Sequence, residues 1–179
     1  IGDWSSDVCS SDLTKEFTSD ENLPEVFMLM TKSYLKLNSK ADASYFIDIL
    51  VSEHPESPYT KKAILIFADT LLSTKEKEKA LKLYLDVLYS VKDIDIASEA
   101  AIRLSDYQID AGKAQEAKEY LLKVLNVNAN FLLKDKDASY ALAKRLYEHK
   151  LYDVAARILD MLLENTPITD EKRELWLKE

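Results

Sequence analysis

Residues 102–125, IRLSDYQIDAGKAQEAKEYLLKVL, read as a helix, a tight turn and a second helix. Apolar side chains recur at Ile102, Leu104, Ile109 and Ala111, then at Ala114, Ala117, Leu121, Val124 and Leu125. The second set keeps the three-and-four spacing that gives a helix one apolar face. Gly112 stands between the two sets. A glycine just past a helical run ends it, because it enters the left-handed region without a Cβ clash.

Working outward, the remainder of the chain reads the same way. The 179 residues are long enough for a sizeable core, and 47% apolar with 31% charged residues suits a folded helical protein. Pro24, Pro55, Pro58 and Pro167 all fall outside the periodic segments, as helix interiors require. No apolar run approaches the roughly 18 residues of a membrane span. A net charge of -8 argues against non-specific nucleic-acid binding, which needs a basic stripe.

Residues 1–13 stand apart. They hold the only cysteine, Cys9, one of the two glycines, Gly2, and no lysine or arginine. The run 3–13, DWSSDVCSSDL, resembles a translated sequencing adapter, so it is set aside from the fold and the native start is expected to be missing. Setting aside Asp3, Asp7 and Asp12 leaves 24 basic and 29 acidic residues, a net charge of -5. With Cys9 set aside, cysteine content says nothing about redox compartment. The polar residues 14–23 read as a lead-in.

From Pro24 onward the sequence predicts four helical hairpins, over 24–57, 58–93, 94–130 and 135–167, and a partial fifth over 168–179. The breaks fall at Asn38 and Ser39, at the run 54–58, at Ser73 and Thr74, and at 93–95. Asp93 and Asp95 have the character of helix-start residues. The segment 126–137 is the least regular link. Thr169 is the expected cap of a last short helix, with Asp170 and Glu171 in its first turn and Leu175 and Trp176 on its apolar side. The pattern stops in mid-repeat, so the C-terminus is expected to be truncated as well. No strand-like alternation occurs.

Four columns recur in register. The small residues Ala43, Ala80, Ala117 and Ala155 lie 37, 37 and 38 residues apart, and Thr31, Ala68, Ser105 and Ala143 repeat that spacing. The large columns are Met30, Phe67, Leu104, Leu142 and Ile47, Tyr84, Leu121, Leu159. A fixed period of this size signals a solenoid. Small side chains belong where two helices of a pair cross closely, and large ones where one pair stacks on the next.

On these columns the chain resembles the tetratricopeptide repeat family over residues 24–179. The family's small residue in the first helix is matched at Thr31, Ala68, Ser105 and Ala143, and its second-helix alanine at Ala43, Ala80, Ala117 and Ala155. Its inter-helix glycine is matched only at Gly112; Asn38, Lys75 and Lys150 stand elsewhere. Its terminal proline is matched at Pro55 and Pro167, and its aromatic at Tyr34, with Leu71, Gln108 and Leu146 in the other units. The resemblance implies an all-α, right-handed superhelical solenoid of antiparallel helix pairs, whose concave groove is lined by the first helix of each pair. It implies that Met28, Lys32, Leu35, Leu65, Asp69, Leu72, Ile102, Asp106, Ile109, Tyr140, Lys144 and Tyr147 face that groove. Asp69 and Asp106 occupy equivalent positions, with Asp110 one turn beyond Asp106, and form either an acidic strip for a basic peptide segment or a solvated helix face. They stand where the family's clamp for a C-terminal carboxylate carries lysine and asparagine, so that mode of binding is not expected. The Lys/Leu/Asp/Tyr-rich, glycine-poor style is similar to bacterial extracytoplasmic repeat proteins, such as flagellar-motor scaffolds or partners of outer-membrane assembly, and that resemblance favours the periplasm over the cytoplasm.

The residues point to no catalytic constellation. One glycine in the repeat region cannot build a phosphate-binding loop. His54 and His149 lie in different units, each near a helix C-terminus, where a surface histidine suits the helix dipole better than it suits a metal. The expectation is a non-enzymatic protein-interaction scaffold with no cofactor and no metal, binding a protein or peptide and not nucleic acid, and not inserting into a membrane. Two other readings stay open: an architectural segment of a longer repeat protein with no groove ligand, and a metal-binding or hydrolase domain.

Overall fold

The computed structural model describes residues 21–74 and 76–177, excluding the side chain of Leu175. The adapter-like segment, the lead-in up to residue 20, Lys75 and the apolar role given to Leu175 lie outside the described residues. Nine α-helices and one 3-10 helix make up the described secondary structure, with no strand among the described residues. They are α1 (Leu23–Lys36), α2 (Lys40–Glu53), α3 (Pro58–Leu72), α4 (Lys77–Ser90), α5 (Ile94–Asp110), α6 (Ala114–Val127), a 3-10 link (Ala129–Leu133), α7 (Lys136–Glu148), α8 (Tyr152–Glu164) and α9 (Glu171–Leu177).

The hairpin corners explain the regularity. After α5, Gly112 has φ +75, its amide donates to Ile109 O, and the Lys113 amide reaches back to Gln108 O. This double closure satisfies two carbonyls that the helix leaves open. The same pair of bonds follows α1, from Asn38 to Leu35 O and from Ser39 to Tyr34 O, and α7, from Lys150 to Tyr147 O and from Leu151 to Leu146 O. Asn38 and Lys150 hold φ +62 and +64. The left-handed corner is therefore kept in three hairpins, although only one carries the glycine.

Helix starts follow side-chain chemistry. Asp93 caps α5, its carboxylate accepting from the amides of Asp95 (2.8 Å) and Ile96 (3.2 Å). Ser57 caps α3 and Asp135 caps α7. Before α9 the cap is Asp170 and not Thr169: the Asp170 carboxylate accepts from the Lys172 amide at 2.9 Å. A carboxylate at that position suits the positive end of the helix dipole. Helix α1 starts at Leu23, one residue inside the expected lead-in.

The chain divides into two compact units, with the break between Leu83 and Tyr84 inside α4. In the first, α1 packs against both α2 and α3, and α2 against α3. Its core gathers Leu23, Phe27, Phe46, Leu50 and Ala63. The Phe46 ring stacks on Tyr34 at 5.5 Å and tilts against Phe27 at 5.8 Å. In the second, α5 pairs with α6 and α7 with α8, α6 meets α8, and α9 rests on α8. Its core runs from Ala101 through Leu121 and Leu146 to Trp176.

Both small-residue columns are buried at every position: Ala43, Ala80, Ala117 and Ala155, and Thr31, Ala68, Ser105 and Ala143. The two polar members stay satisfied by donating to their own helix, Thr31 to Phe27 O and Ser105 to Ile102 O. The large columns are buried at Leu104, Leu142, Tyr84 and Leu121, and half-buried at Met30, Phe67, Ile47 and Leu159.

Candidate docking groove

Within the second unit a cavity of about 490 Å³ lies between α5 and α7. Its origin is the link. Residues 128–135 join the hairpin α5–α6 to α7, whereas residues 54–57 make the equivalent link from α2 to α3 and residues 91–93 that from α4 to α5. The added length folds as the 3-10 turn, which packs on α6 and α7. Leu132 is buried in the core. Asn128 pins the link to the start of α5, its side-chain amide donating to Asp95 (2.9 Å) and Ser98 (3.1 Å). In the first unit the successive first helices α1 and α3 pack closely. Helices α5 and α7 stand off from each other, and the groove occupies the gap.

The walls alternate apolar and charged side chains. Ile102, Leu142, Ala138, Ala141 and Phe131 line the floor and sides. Arg103 pairs with Glu99 one turn back on α5. Arg145 of α7 reaches across to α5, donating to the Asp106 carboxylate at 2.8 Å, to the Asp106 carbonyl at 3.2 Å and to the Asp110 carboxylate. Lys134 pairs with Asp95 and lies over the Phe131 ring at 5.3 Å. The described residues contain no group of three or more His, Cys, Asp or Glu placed to hold a metal ion.

The residues expected to face a groove divide sharply. Ile102 and Asp106 line the cavity. Leu65 (0% exposed) and Ile109 (1%) do not face a groove: both are core residues. Ile109 belongs to the same apolar cluster as Leu142 and Leu146 of α7, and Leu65 is enclosed on α3, which packs on α1 and α2. Around Leu65 the cover is α1 and α2, which pack on α3; Ile109 instead turns into the second unit's core, where α5 packs on α6, and both positions leave solvent. Leu35 is buried too, and Met28 is packed on the first unit's core. Tyr140 is half-buried, stacked on Trp176 at 5.6 Å, so its ring serves the docking of α9. Lys32, Asp69, Lys144 and Tyr147 are exposed, and Tyr147 meets Tyr152 edge-on at 5.1 Å. The acidic strip is also revised. Asp69 belongs to the first unit, and Asp106 and Asp110 of the second are both bonded to Arg145.

Sequence reasoning missed Glu99, Arg103, Phe131, Ala138, Leu142 and Arg145 as wall residues. One signal was available. Arg145 follows Asp106 by 39 residues, one more than the local period, which puts opposite charges on neighbouring first helices.

The backbone arrangement has a known counterpart. The chain is similar to the protein in the crystal structure of MamA, a TPR-containing protein, with a TM-score of 0.55 over 100% of this chain and 99% of that one, at 17% identity. The fold is TPR-like. At that identity the likeness is one of fold alone. No family model and no curated protein matches the sequence. Among the described residues no helix is long and apolar enough to cross a membrane.

Proposed function

We propose that this protein is a non-enzymatic interaction scaffold, and that the groove between α5 and α7 is where it receives a segment of a protein partner. The observation that carries this reading is the cavity itself: about 490 Å³, floored by apolar side chains and bordered by ion pairs, between two helical hairpins. Recognition sites commonly combine an apolar floor with a few placed polar groups. The TPR-like fold supports it, since stacked hairpins offer a side-by-side row of first helices as a surface. The protein partner, the absence of nucleic acid from the set of partners and the periplasmic preference belong to the same reading.

The test is site-specific photocrosslinking. A photoreactive residue placed at Ala141, on the groove wall, should capture a protein partner, whereas the same residue at Glu119, on α6, should not. Ala141→Arg should abolish co-purification of that partner without changing the melting temperature. Equal crosslinking from both positions, or none from Ala141, would overturn the assignment.

A further inference from the structure

Resting on the docking reading above, we infer that the groove accepts an uncharged aromatic anchor side chain projecting from the partner, and not a continuous helix laid along it. The first argument is length. Both ends are walled. The 3-10 link, with Phe131 and Lys134, closes the end near the starts of α5 and α7, and Arg145 bonded to Asp106 and Asp110 closes the other. From Glu99 to Asp106 is seven residues, about 10 Å of helix. That length suits one or two side chains.

The second argument is charge. Every charged side chain on the wall is engaged by the protein itself: Glu99 by Arg103, Asp106 by Arg145, Lys134 by Asp95, and Asp135 by the Ala138 amide. Three acids stand against three bases, Arg103, Lys134 and Arg145. A charged ligand would lose water and find its counter-charge already committed, which is unfavourable. An uncharged one meets Ile102, Ala138, Ala141 and Leu142.

The third argument concerns shape. Phe131 lines the cavity from the link, and Arg103 and Arg145 line it from opposite helices. Planar cations and rings favour an aromatic occupant over an aliphatic one. An aromatic side chain seated in a pocket is a common centre of a binding hot spot.

The probe is N-acetyl-tryptophanamide, with N-acetyl-lysinamide and N-acetyl-glutamate amide as charged controls, titrated into the whole protein and followed by amide chemical shifts. Saturable shifts at Ile102, Ala138, Ala141 and Leu142 are expected with the tryptophan probe, and binding about tenfold weaker or worse with either charged probe. Ala141→Phe, which fills the cavity from an exposed helix position, should abolish the shifts while leaving the melting curve in place. Equal shifts with all three probes, or none with the tryptophan probe, would overturn the inference. If Ala141 still crosslinks a protein while the tryptophan probe leaves the groove unshifted, the anchor is wrong and the docking site stands. If both fail, the docking reading goes with it.

Discussion

Lys150 sits at φ +64, a region that costs a residue with a Cβ about 1–2 kcal/mol. It takes the place of the glycine that closes α5, and the hydrogen bond that its backbone N–H donates to Tyr147 O holds it there. Lys150→Gly relieves the clash and loses some chain entropy, so a net gain of roughly 0.5–1 kcal/mol is expected, measured by urea denaturation. Gln108 presents a second local misfit. Its Oε1 is buried and meets no hydrogen-bond donor among the described residues. The equivalent positions are Tyr34, half-buried, and Leu71 and Leu146, both buried. Gln108→Met keeps the shape and removes the orphan acceptor, so stability should rise by about 1 kcal/mol. A fall would show that the amide is satisfied in solution. At this scale the alanine columns were legible from the sequence, because a close helix crossing admits only small side chains. Leu65 and Ile109 were not, because a first helix has two apolar flanks and only packing decides which one a neighbour covers.

Between elements, ion pairs mark where hairpins meet. Lys118 of α6 and Asp153 of α8 approach to 2.6 Å. The hydrogen bond from Lys118 holds the Asp153 carboxyl below its ordinary value of 3.8. A lowered folded value favours the native state while the carboxylate stays ionised, above its unfolded value. That contribution disappears as pH falls through the folded value. Wild-type protein should therefore melt slightly higher than Asp153→Asn at pH 7, and the gap should close below about pH 3.8. Asp153 is exposed and Lys118 only half-buried, so solvent screens the pair and the difference is small. A gap that persists at low pH would assign the effect to something other than the ion pair. Helix starts at Asp93 and Asp135 were readable in the sequence or close to it, since capping chemistry is local. The 3-10 link was visible only as an irregular segment, because no period governs it.

Across the molecule, two compact units each carry their own core. Trp176 anchors α9 to the second, buried and stacked on Tyr140, while Lys172 bonds Asp137 and Arg173 donates to the carbonyl of Thr166. Trp176→Ala should cost up to about 3 kcal/mol. In repeat architectures such losses stay near their source. Hydrogen exchange should therefore rise in α7, α8 and α9 and stay unchanged in α1, α2 and α3; uniform acceleration would contradict this. The repeat itself was legible at this scale because its columns run in register through the whole sequence. The groove was not, since it depends on how far apart two first helices stand.

That separation makes the joint at 128–135 the adjustable part. Corners in the left-handed conformation favour glycine, and buried alanines admit nothing larger. The strap between pairs answers to neither restriction. Trimmed to three residues, it would draw α7 down onto α5 and shut the chamber with every rod intact. Lengthened, it would reshape the chamber's wall. A chain built this way can gain, reshape or lose such a cavity by changing the length of one link.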